Sequence, residues 1–262
     1  ALAAASVFSL VGCGQNTTVE TTTPVQTVQQ APERGEPDRS NLPYLSAIED
    51  YRKSDWTANW IWTKGCSDDS YVAFRKTVAV DAEVTAMACI SAVDKYVLFL
   101  NGEMVVLDGS LKRGPTPYDS YYDTVELTNL KQGENTIALL VAFNGRSGDG
   151  SIVPVLVDEE GDEYTQAGLI FELDAGGTTI CSDSSWKAAR HTGYKNRVTA
   201  GADYPGYSQS SMLAERNVYF DARDDLGDFM AEGYNDSEWE DATPVSKAGD
   251  LPFGDLYSAM IQ

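Results

Sequence analysis

Hydrophobic and polar residues alternate with a period of two along most of the chain. In "YVAFRKTVAV", Val72, Phe74, Val78 and Val80 fall on one face of an extended segment, and Lys76 is the one polar residue among them. This alternation is typical of a strand that places one face against a core. The segment is therefore predicted to be a half-buried β-strand.

A second pattern, "DKYVLFLNGEMVVL", places Asn101 and Gly102 between two apolar runs. Both residue types adopt positive φ readily, as a two-residue hairpin turn requires, so the pattern predicts a β-hairpin. Further apolar runs follow between turn-forming stretches, namely "YYDTVEL", "NTIALLVAF", "SIVPVLVD" and "GLIFEL". Many short strands with regular turns predict an all-β fold, an antiparallel β-sandwich or jelly roll.

Two segments have helical rather than strand character. They are "LSAIEDYRKSD" at residues 45–55 and "SQSSMLAER" at residues 208–216. We expect one or two short helices at these places, beside the sandwich.

Two short motifs, "DSSWKAA" and "DSEWEDA", repeat Asp, Ser and Trp at the same spacing. The residues that separate the shared Asp, Ser and Trp do not recur, so the motifs do not form a tandem repeat. We expect Asp and Ser to turn the chain just before each tryptophan. The tryptophans expected in the core or at the ends of the sandwich are Trp60, Trp62, Trp186 and Trp239.

The chain begins with "ALAAASVFSLVGC", an apolar stretch too short to span a bilayer. Its last four residues, Leu10 to Cys13, resemble the lipobox of bacterial lipoproteins, in which the cysteine is acylated. The resemblance implies lipid attachment at Cys13 and an exported protein, anchored at the cell surface or at the periplasmic face of a membrane. A buried hydrophobic segment with a chance cysteine is the alternative.

Residues 14–41 are rich in Thr, Gln and Pro and nearly free of large apolar side chains. Such a segment buries too little surface to offset its ordering entropy, so we expect a disordered tether. The expected organisation is a residual signal peptide at 1–13, this tether, a β-sandwich domain at 42–247, and at 248–262 the start of a connection to a further domain.

Composition narrows the classes of partner and ligand. The chain has 262 residues, 42% of them hydrophobic, and a formal net charge of −21. It has no basic run with which to bind phosphates, so a nucleic-acid partner is not expected. Three cysteines, Cys66, Cys89 and Cys181, lack the spacing of a zinc site, and His191 is the single histidine. One disulfide among the three is an open alternative that the spacing does not resolve.

The segment "DARDDLGDFMAEGYNDSEWEDA", residues 221–242, concentrates acidic side chains. Its nine carboxylates belong to Asp221, Asp224, Asp225, Asp228, Glu232, Asp236, Glu238, Glu240 and Asp241. A catalytic pair needs one carboxyl kept protonated by burial, which crowded solvated acids do not provide. Structural calcium is an open alternative with no residues assigned, because the segment lacks the EF-hand pattern. No cofactor is assigned, and Arg223 is expected to pair with a nearby carboxylate.

Loop-like segments supply aromatic side chains suited to sugar rings. A pyranose packs its C–H face on an aromatic ring while its hydroxyls take hydrogen bonds. The candidate sugar-binding residues are Tyr118, Tyr121, Tyr122, Tyr204 and Tyr207. The alternative is that these tyrosines close the ends of the sandwich.

Taken in order, several segments resemble the N-terminal β-sandwich region of bacterial α-L-rhamnosidases of glycoside hydrolase family 78. They are "ANWIW", "YVAFRKTVAV", "AVDKYVLFLNGEMV", "YDTVELTNLKQGENTIALLV", "AGLIFELDAGG", "CSDSSWKAA" and "YFDARDD" with "GYNDSEWEDA". The resemblance covers roughly residues 56–245. It implies a jelly-roll or galactose-binding-like β-sandwich. The hairpin with "LKQGENTIALLV" is less specific alone, because galactose-binding-like sandwiches of other glycosidases carry similar hairpins.

In that family the catalytic acids lie in a separate (α/α)6 domain that follows the sandwiches, and residues up to Gln262 contain no such helical array. The resemblance therefore implies a non-catalytic, carbohydrate-binding-like accessory region of an exported α-L-rhamnosidase, inactive alone. Its expected partners are rhamnose-containing glycans, the membrane through the lipid anchor, and its own catalytic domain. A stand-alone surface lipoprotein that binds glycans without cleaving them, and a purely structural surface domain, are the alternatives.

Overall fold

The computed structural model describes residues 48–65, 70–110, 114–116, 119–143, 156–157, 163–164, 166–195 and 219–259. The lipid-attachment residue Cys13, the tether at 14–41 and the helix expected at 208–216 lie outside this part of the chain. So do Cys66 and the sugar-binding candidates Tyr118, Tyr204 and Tyr207.

The described residues form strands joined by turns. The strands are β1 (Arg52–Lys53), β2 (Asn59–Trp62), β3 (Ser70–Val80), β4 (Val84–Ala92), β5 (Lys95–Leu100), β6 (Glu103–Ser110), β7 (Ser120–Leu130), β8 (Gly133–Phe143), β9 (Leu156–Val157), β10 (Glu163–Tyr164), β11 (Leu169–Asp174), β12 (Thr179–Cys181), β13 (Lys187–Arg190), β14 (Tyr194–Lys195), β15 (Tyr219–Phe220), β16 (Glu240–Asp241), β17 (Thr243–Lys247) and β18 (Leu256–Ser258). Two short 3-10 turns, Glu49–Tyr51 and Ala222–Asp224, accompany them. Within the described residues, no helix is long and apolar enough to cross a membrane.

Two large sheets contain most of these strands. The eight-stranded sheet has the order β1-β18-β7-β4-β11-β2-β17, with β12 paired to β11. The six-stranded sheet has the order β16-β13-β3-β8-β5-β6. All pairings in the two sheets are antiparallel except that of β18 with β7, which is parallel.

The main core lies between the inner faces of the two sheets. Trp62 of the eight-stranded sheet contacts Phe74 and Phe143 of the six-stranded sheet, with ring centroids 5.7 and 5.9 Å apart. Phe171 and Trp186 meet across the same core at 5.2 Å. The predicted all-β sandwich is therefore confirmed, and the core placement of Trp60, Trp62 and Trp186 is confirmed by their near-complete burial.

The predicted hairpin forms at Asn101 and Gly102. It joins β5 to β6, and the two turn residues have φ of 53° and 85°. The positive values explain the choice of residues, because Asn and Gly tolerate the left-handed region at little strain.

The prediction that β3 is a half-buried strand was incomplete. Its Val72 and Phe74 face the main core as expected, but Ala73 and Arg75 on the opposite face are buried as well.

Two expectations about the ends of the domain need revision or extension. The helix expected at 45–55 is wrong in its second half, where β1 pairs with β18 through Arg52 and Tyr257. Cross-strand pairing overrides a weak helical pattern here. In addition, the eight-stranded sheet includes Leu256–Ser258, which lies past the boundary expected at residue 247.

The two Asp-Ser-Trp motifs come together in the fold. The strands that follow them, β13 and β16, pair antiparallel, with Lys187 opposite Asp241. The backbone N–H of Trp186 bonds to the carbonyl of Asp183, and that of Trp239 bonds to the carbonyl of Asp236. The expected turn before each tryptophan is therefore confirmed, and the resemblance between the motifs reflects two matching entries into adjacent strands.

Candidate functional site

The acidic segment at 221–242 covers the outer face of the six-stranded sheet. Phe229 is 3% exposed and forms a second apolar cluster with Ala73, Phe99, Ala138 and Leu140 of that sheet. Further side chains of the segment pack against this cluster, namely Leu226, Met230, Tyr234 and Trp239. The segment is therefore a third layer of the domain, held by apolar contacts as well as by charges.

Arg75 of β3 binds the acidic segment to the six-stranded sheet. Its side chain is 2% exposed, and its Nε lies 3.0 Å from Oδ2 of Asp236. Nη1 donates to the carbonyl of Phe229 and, at 3.1 Å, to that of Ala231. The guanidinium also lies 5.1 Å from the ring centroid of Tyr234. A buried charge requires such partners, and here the acidic segment supplies all of them.

Other acids of the segment also have structural partners. Asp241 pairs with Lys187 at 2.7 Å, and the hydrogen bond and charge of Lys187 hold the pKa of Asp241 below its usual value. Glu232 pairs with Lys131. Within the described residues, no group of three or more His, Cys, Asp and Glu side chains is arranged to hold a metal ion. These contacts show acids bound to the fold's own cations.

The expected pairing of Arg223 is confirmed in an unexpected setting. Its Nε and Nη2 bind the two oxygens of Asp221 at 2.9 and 2.6 Å. The side chain of Arg223 is nevertheless 86% exposed, whereas that of Asp221 is only 8% exposed. Asp221 also accepts a bond from the backbone N–H of Arg223 and caps the 3-10 turn. The acid, rather than the arginine, is the fixed member of this pair.

The single histidine lies where the acidic segment meets the sheet. His191 is 2% exposed, among the rings of Tyr194, Phe220 and Phe229. Burial lowers its pKa, an effect opposed by Asp225, whose Oδ1 is 3.3 Å from Nε2. His191 is therefore poised to be neutral in the folded domain at neutral pH.

A second polar cluster lies on the outer face of the eight-stranded sheet. Oε2 of Glu172 accepts hydrogen bonds from the N–H and hydroxyl of Thr57 at 2.6 and 2.8 Å, and from the N–H of Ala58 at 3.0 Å. Oε1 lies 2.9 Å from Nζ of Lys53. Burial opposes ionisation of Glu172, but Lys53 and the Thr57 and Ala58 donors outweigh it, so its pKa is lowered.

Aromatic side chains extend this cluster into a surface that we call the Trp56 patch, formed by Lys53, Trp56, Tyr122 and Glu172. The rings of Trp56 and Tyr122 meet edge to face at 5.4 Å, and Nζ of Lys53 lies 5.2 Å from the Trp56 ring. Trp56 and Tyr122 are both half-buried. Burial is the main cause of a raised pKa for Tyr122, whose hydroxyl also bonds to Ser258.

Tyr121 and Tyr122 are the two predicted sugar-binding residues that the structure describes. They are consecutive residues of β7, so their side chains point to opposite faces of the sheet. The structure therefore does not bring them into one site. Tyr122 instead joins Trp56, which the sequence analysis did not single out. An aromatic residue beside Lys and Asp in "YRKSDWTAN" was the available signal.

The described cysteines flank Glu172 in neighbouring strands. Cys89 and Cys181 each lie opposite Glu172 in the register, on its two sides, and both are free thiols. Two strand spacings separate them by about 9.6 Å. A disulfide needs Cα atoms within about 7 Å, so the open alternative of a Cys89–Cys181 bridge is excluded in this fold. Burial raises the pKa of both thiols.

Comparison with protein families assigns more than half of the chain. Residues 82–251 match the family described as "Alpha-L-rhamnosidase N-terminal domain". The matched range includes β6, β7 and the whole acidic segment. No curated protein matches the chain.

Comparison with solved structures gives rhamnosidases. The GH78 family rhamnosidase of Bacillus sp. GL1 matches 80% of this chain with a TM-score of 0.62 and 26% identity. The α-L-rhamnosidases from Dictyoglumus thermophilum and Aspergillus terreus match with TM-scores of 0.56 and 0.54, both at 23% identity, over 80% and 77% of this chain. The matches cover only 20%, 23% and 22% of those three chains.

Proposed function

The chain belongs to the family of α-L-rhamnosidase N-terminal domains, and on that premise we propose that it is a non-catalytic accessory domain of an exported α-L-rhamnosidase. In this proposal a separate part of the parent polypeptide hydrolyses terminal rhamnosides. The observation that carries the proposal is the family match over 82–251. The likeness to the Bacillus rhamnosidase supports it.

The contacts of the acidic segment support the non-catalytic role. Glycosidases usually work with two carboxylic acids about 5 to 10 Å apart, one of them kept protonated by its surroundings. In the acidic segment, Asp236 neutralises the buried Arg75 and Asp221 caps a turn. Asp241 has a lowered rather than a raised pKa. These three acids therefore have structural roles that require no chemistry.

We propose that carbohydrate contacts this domain at the Trp56 patch. Aromatic rings beside hydrogen-bonding side chains suit a pyranose, and Tyr122 and Trp56 provide rings next to Lys53 and Glu172. Binding of rhamnose-containing glycans to a purified 262-residue chain should fall at least tenfold, by about 1.4 kcal/mol, in Trp56→Ala or Tyr122→Ala. Met87→Ala, an exposed change on the same sheet, is the matched control.

Variants of the remaining candidates separate this patch from the other tyrosines. If glycan binding is lost in Tyr118→Ala, Tyr204→Ala or Tyr207→Ala and kept in Trp56→Ala, the site lies elsewhere than proposed. If the complete coding sequence encodes no hydrolase domain and its protein product binds glycans strongly, the stand-alone glycan-binding lipoprotein would instead be favoured.

Export and anchoring are part of the same proposal. The motif "LVGC" and the tether that follows it support acylation at Cys13. Metabolic labelling with a radioactive fatty acid should mark the protein in a bacterial host, and Cys13→Ala should abolish the label. Labelling that persists in Cys13→Ala would contradict this attachment site.

The enzymatic proposal is tested by comparing the 262-residue chain with the product of the complete coding sequence on a chromogenic α-L-rhamnoside. We expect hydrolysis by the complete product and none by the chain. Hydrolysis by the chain, lost in Asp236→Asn or Asp225→Asn, would place catalysis in the acidic segment. A complete product that folds but leaves the rhamnoside intact would contradict the assignment to an active rhamnosidase.

A further inference from the structure

The outer face of the six-stranded sheet is covered unevenly. Phe229 and its neighbours pack over residues of β3, β5 and β8. On β6, by contrast, Met104, Val105 and Leu107 are 54%, 38% and 70% exposed. We call these three residues the β6 strip. Met104 lies opposite Phe99 of the outer cluster, and Leu107 follows Val106, which packs against the main core, so both belong to the outer face of the sheet. Val105 lies between them at a register shift.

The β6 strip differs from the other exposed apolar side chains of the described residues. Those are Tyr51, Met87 and Phe220, which occur singly. Scattered apolar side chains are ordinary on a protein surface, whereas a contiguous group marks an interaction site. Val106, within the same run, packs against the main core. The strand therefore holds the strip in a fixed position.

The edge of β6 is poorly suited to pairing with another strand. Among the described strands, β6 pairs with β5 alone, and this pairing shifts register twice, between Tyr96 and Leu98 and between Leu98 and Phe99. Such irregularities break the even spacing of N–H and C=O groups that strand addition needs. A partner of this edge therefore binds through side chains rather than by extending the sheet.

A second copy of the chain is a poor occupant for the strip. A stable dimer usually buries about 800 Å² on each partner, far more than three side chains provide. Each copy also carries a formal net charge of −21, so two copies repel one another. A domain of the same polypeptide needs less surface, because the connecting chain raises its effective concentration to the order of millimolar.

We propose that the β6 strip is the surface on which a downstream domain of the same polypeptide docks. This inference rests on the proposed function, in which the parent rhamnosidase extends well beyond this chain. It is consistent with the solved rhamnosidases, of which this chain matches only 20% to 23%. Exposed Glu103 lies at one end of the strip, and at the other end Asp108 is paired with Lys95 at 3.7 Å, so the docked surface is apolar at its centre and carries Lys or Arg at the Glu103 margin.

Hydrogen–deuterium exchange tests the docking. The amides of 103–108 should exchange at least about tenfold more slowly in the product of the complete coding sequence than in the 262-residue chain. The double variant Val105→Lys/Leu107→Lys should remove this slowing, and Met104→Lys should weaken it. Met87→Lys, at an exposed site (47%) on the other sheet, should leave it unchanged.

Three results would contradict docking of a downstream domain on the β6 strip. Equal exchange of 103–108 in the two proteins would do so, and so would a coding sequence that stops at Gln262. A chain that sediments as a dimer, and as a monomer after Val105→Lys/Leu107→Lys, would identify a second copy as the occupant. Rhamnoside hydrolysis measured on the same samples separates the two proposals, since an active product with an unprotected strip contradicts the docking alone.

Discussion

Two segments, one near each end of the domain, are each held by one buried charge of a sheet strand. The segment at 226–239 lies on the six-stranded sheet over Arg75, and the segment at 52–58, which begins with β1 of the eight-stranded sheet, binds Glu172 of β11. Arg75 binds carbonyls of its segment, whereas Glu172 binds N–H groups of its segment. The sign of the buried charge thus matches the backbone groups that the covering segment presents.

The two segments differ in how much else holds them. The segment at 226–239 has its own apolar cluster around Phe229, and a carboxylate of its own for the buried cation. The segment at 52–58 contributes Trp56 and Lys53 to the Trp56 patch. The first segment therefore forms a layer with its own apolar cluster, whereas the second contributes β1 to the eight-stranded sheet and packs Trp56 and Ala58 against the main core.

Loss of Arg75 should have the largest effect on this comparison. Arg75→Ala leaves Asp236 and two backbone carbonyls without their donor, and breaking a buried ion pair costs about 3 to 5 kcal/mol. Urea unfolding should show this loss, and Lys76→Ala on the same strand should lose less than about 1 kcal/mol. An Arg75→Ala domain as stable as its Lys76→Ala control would show that the cation is dispensable.

Loss of Glu172 should have a smaller effect. Glu172→Ala leaves the donors of Thr57 and Ala58 unsatisfied but near solvent, so we expect about 1 to 3 kcal/mol. Proteolysis should cut 52–58 more readily while leaving 226–239 protected. Glu126→Gln, an exposed change on β7 of the same sheet, should neither lower the stability nor open the segment at 52–58. Simultaneous opening of both segments would contradict their independence.

Acidification should loosen the two segments in different pH ranges. The lowered pKa of His191 means that its contribution is present above the unfolded-state value of about 6.5 and is lost as pH falls towards the folded value. The lowered pKa of Glu172 places its own loss below about pH 4.3. Unfolding free energy should therefore fall below pH 6.5 by at most about 1.4 kcal/mol per pH unit.

Substitutions of His191 and Glu172 separate their contributions to the pH dependence of the unfolding free energy. His191→Gln should remove the decline below pH 6.5, and Glu172→Gln should retain it. A wild-type domain whose stability is constant between pH 6.5 and 5 would show that burial of His191 does not govern its protonation.

The smallest effect is expected at Arg223. Its pair with Asp221 is exposed on the arginine side, and such pairs contribute between 0 and about 1 kcal/mol. Asp221→Ala should lose more, about 1 kcal/mol, because it removes the cap of the 3-10 turn. Thermal unfolding of the two variants checks the order, and a larger loss in Arg223→Ala would reverse our assignment of the fixed member.

Patterns with a period of two were sufficient for the strands and for the hairpin at Asn101 and Gly102, because each depends on neighbours in sequence. The role of Arg75 could not be predicted in that way. A charged residue on the second face of a strand normally faces water. Its partner, the carbonyl of Phe229, lies 154 positions away, so no local pattern carries the information.

In the candidate site, too, the local pattern predicted one residue and missed its neighbour. Tyr122 was identified as a surface aromatic residue from its own sequence context, but its neighbour Trp56 was not, because β7 and the segment at 52–58 meet only in the folded sheet. Likewise the family resemblance was carried by the order of many short motifs and was confirmed by the match over 82–251. None of these motifs predicted that the acidic segment forms a third layer over the six-stranded sheet.

The position of Arg75 has a consequence for the order of events during synthesis. Arg75 is made 154 residues before Phe229, which supplies one of its carbonyls. At about 5 to 20 residues per second, the guanidinium waits roughly 8 to 30 s for this partner. During that interval the outer face of β3 is an uncovered apolar surface around a cation. A chaperone or translocation factor that keeps the nascent chain from aggregating would need to shield this face until the acidic segment emerges.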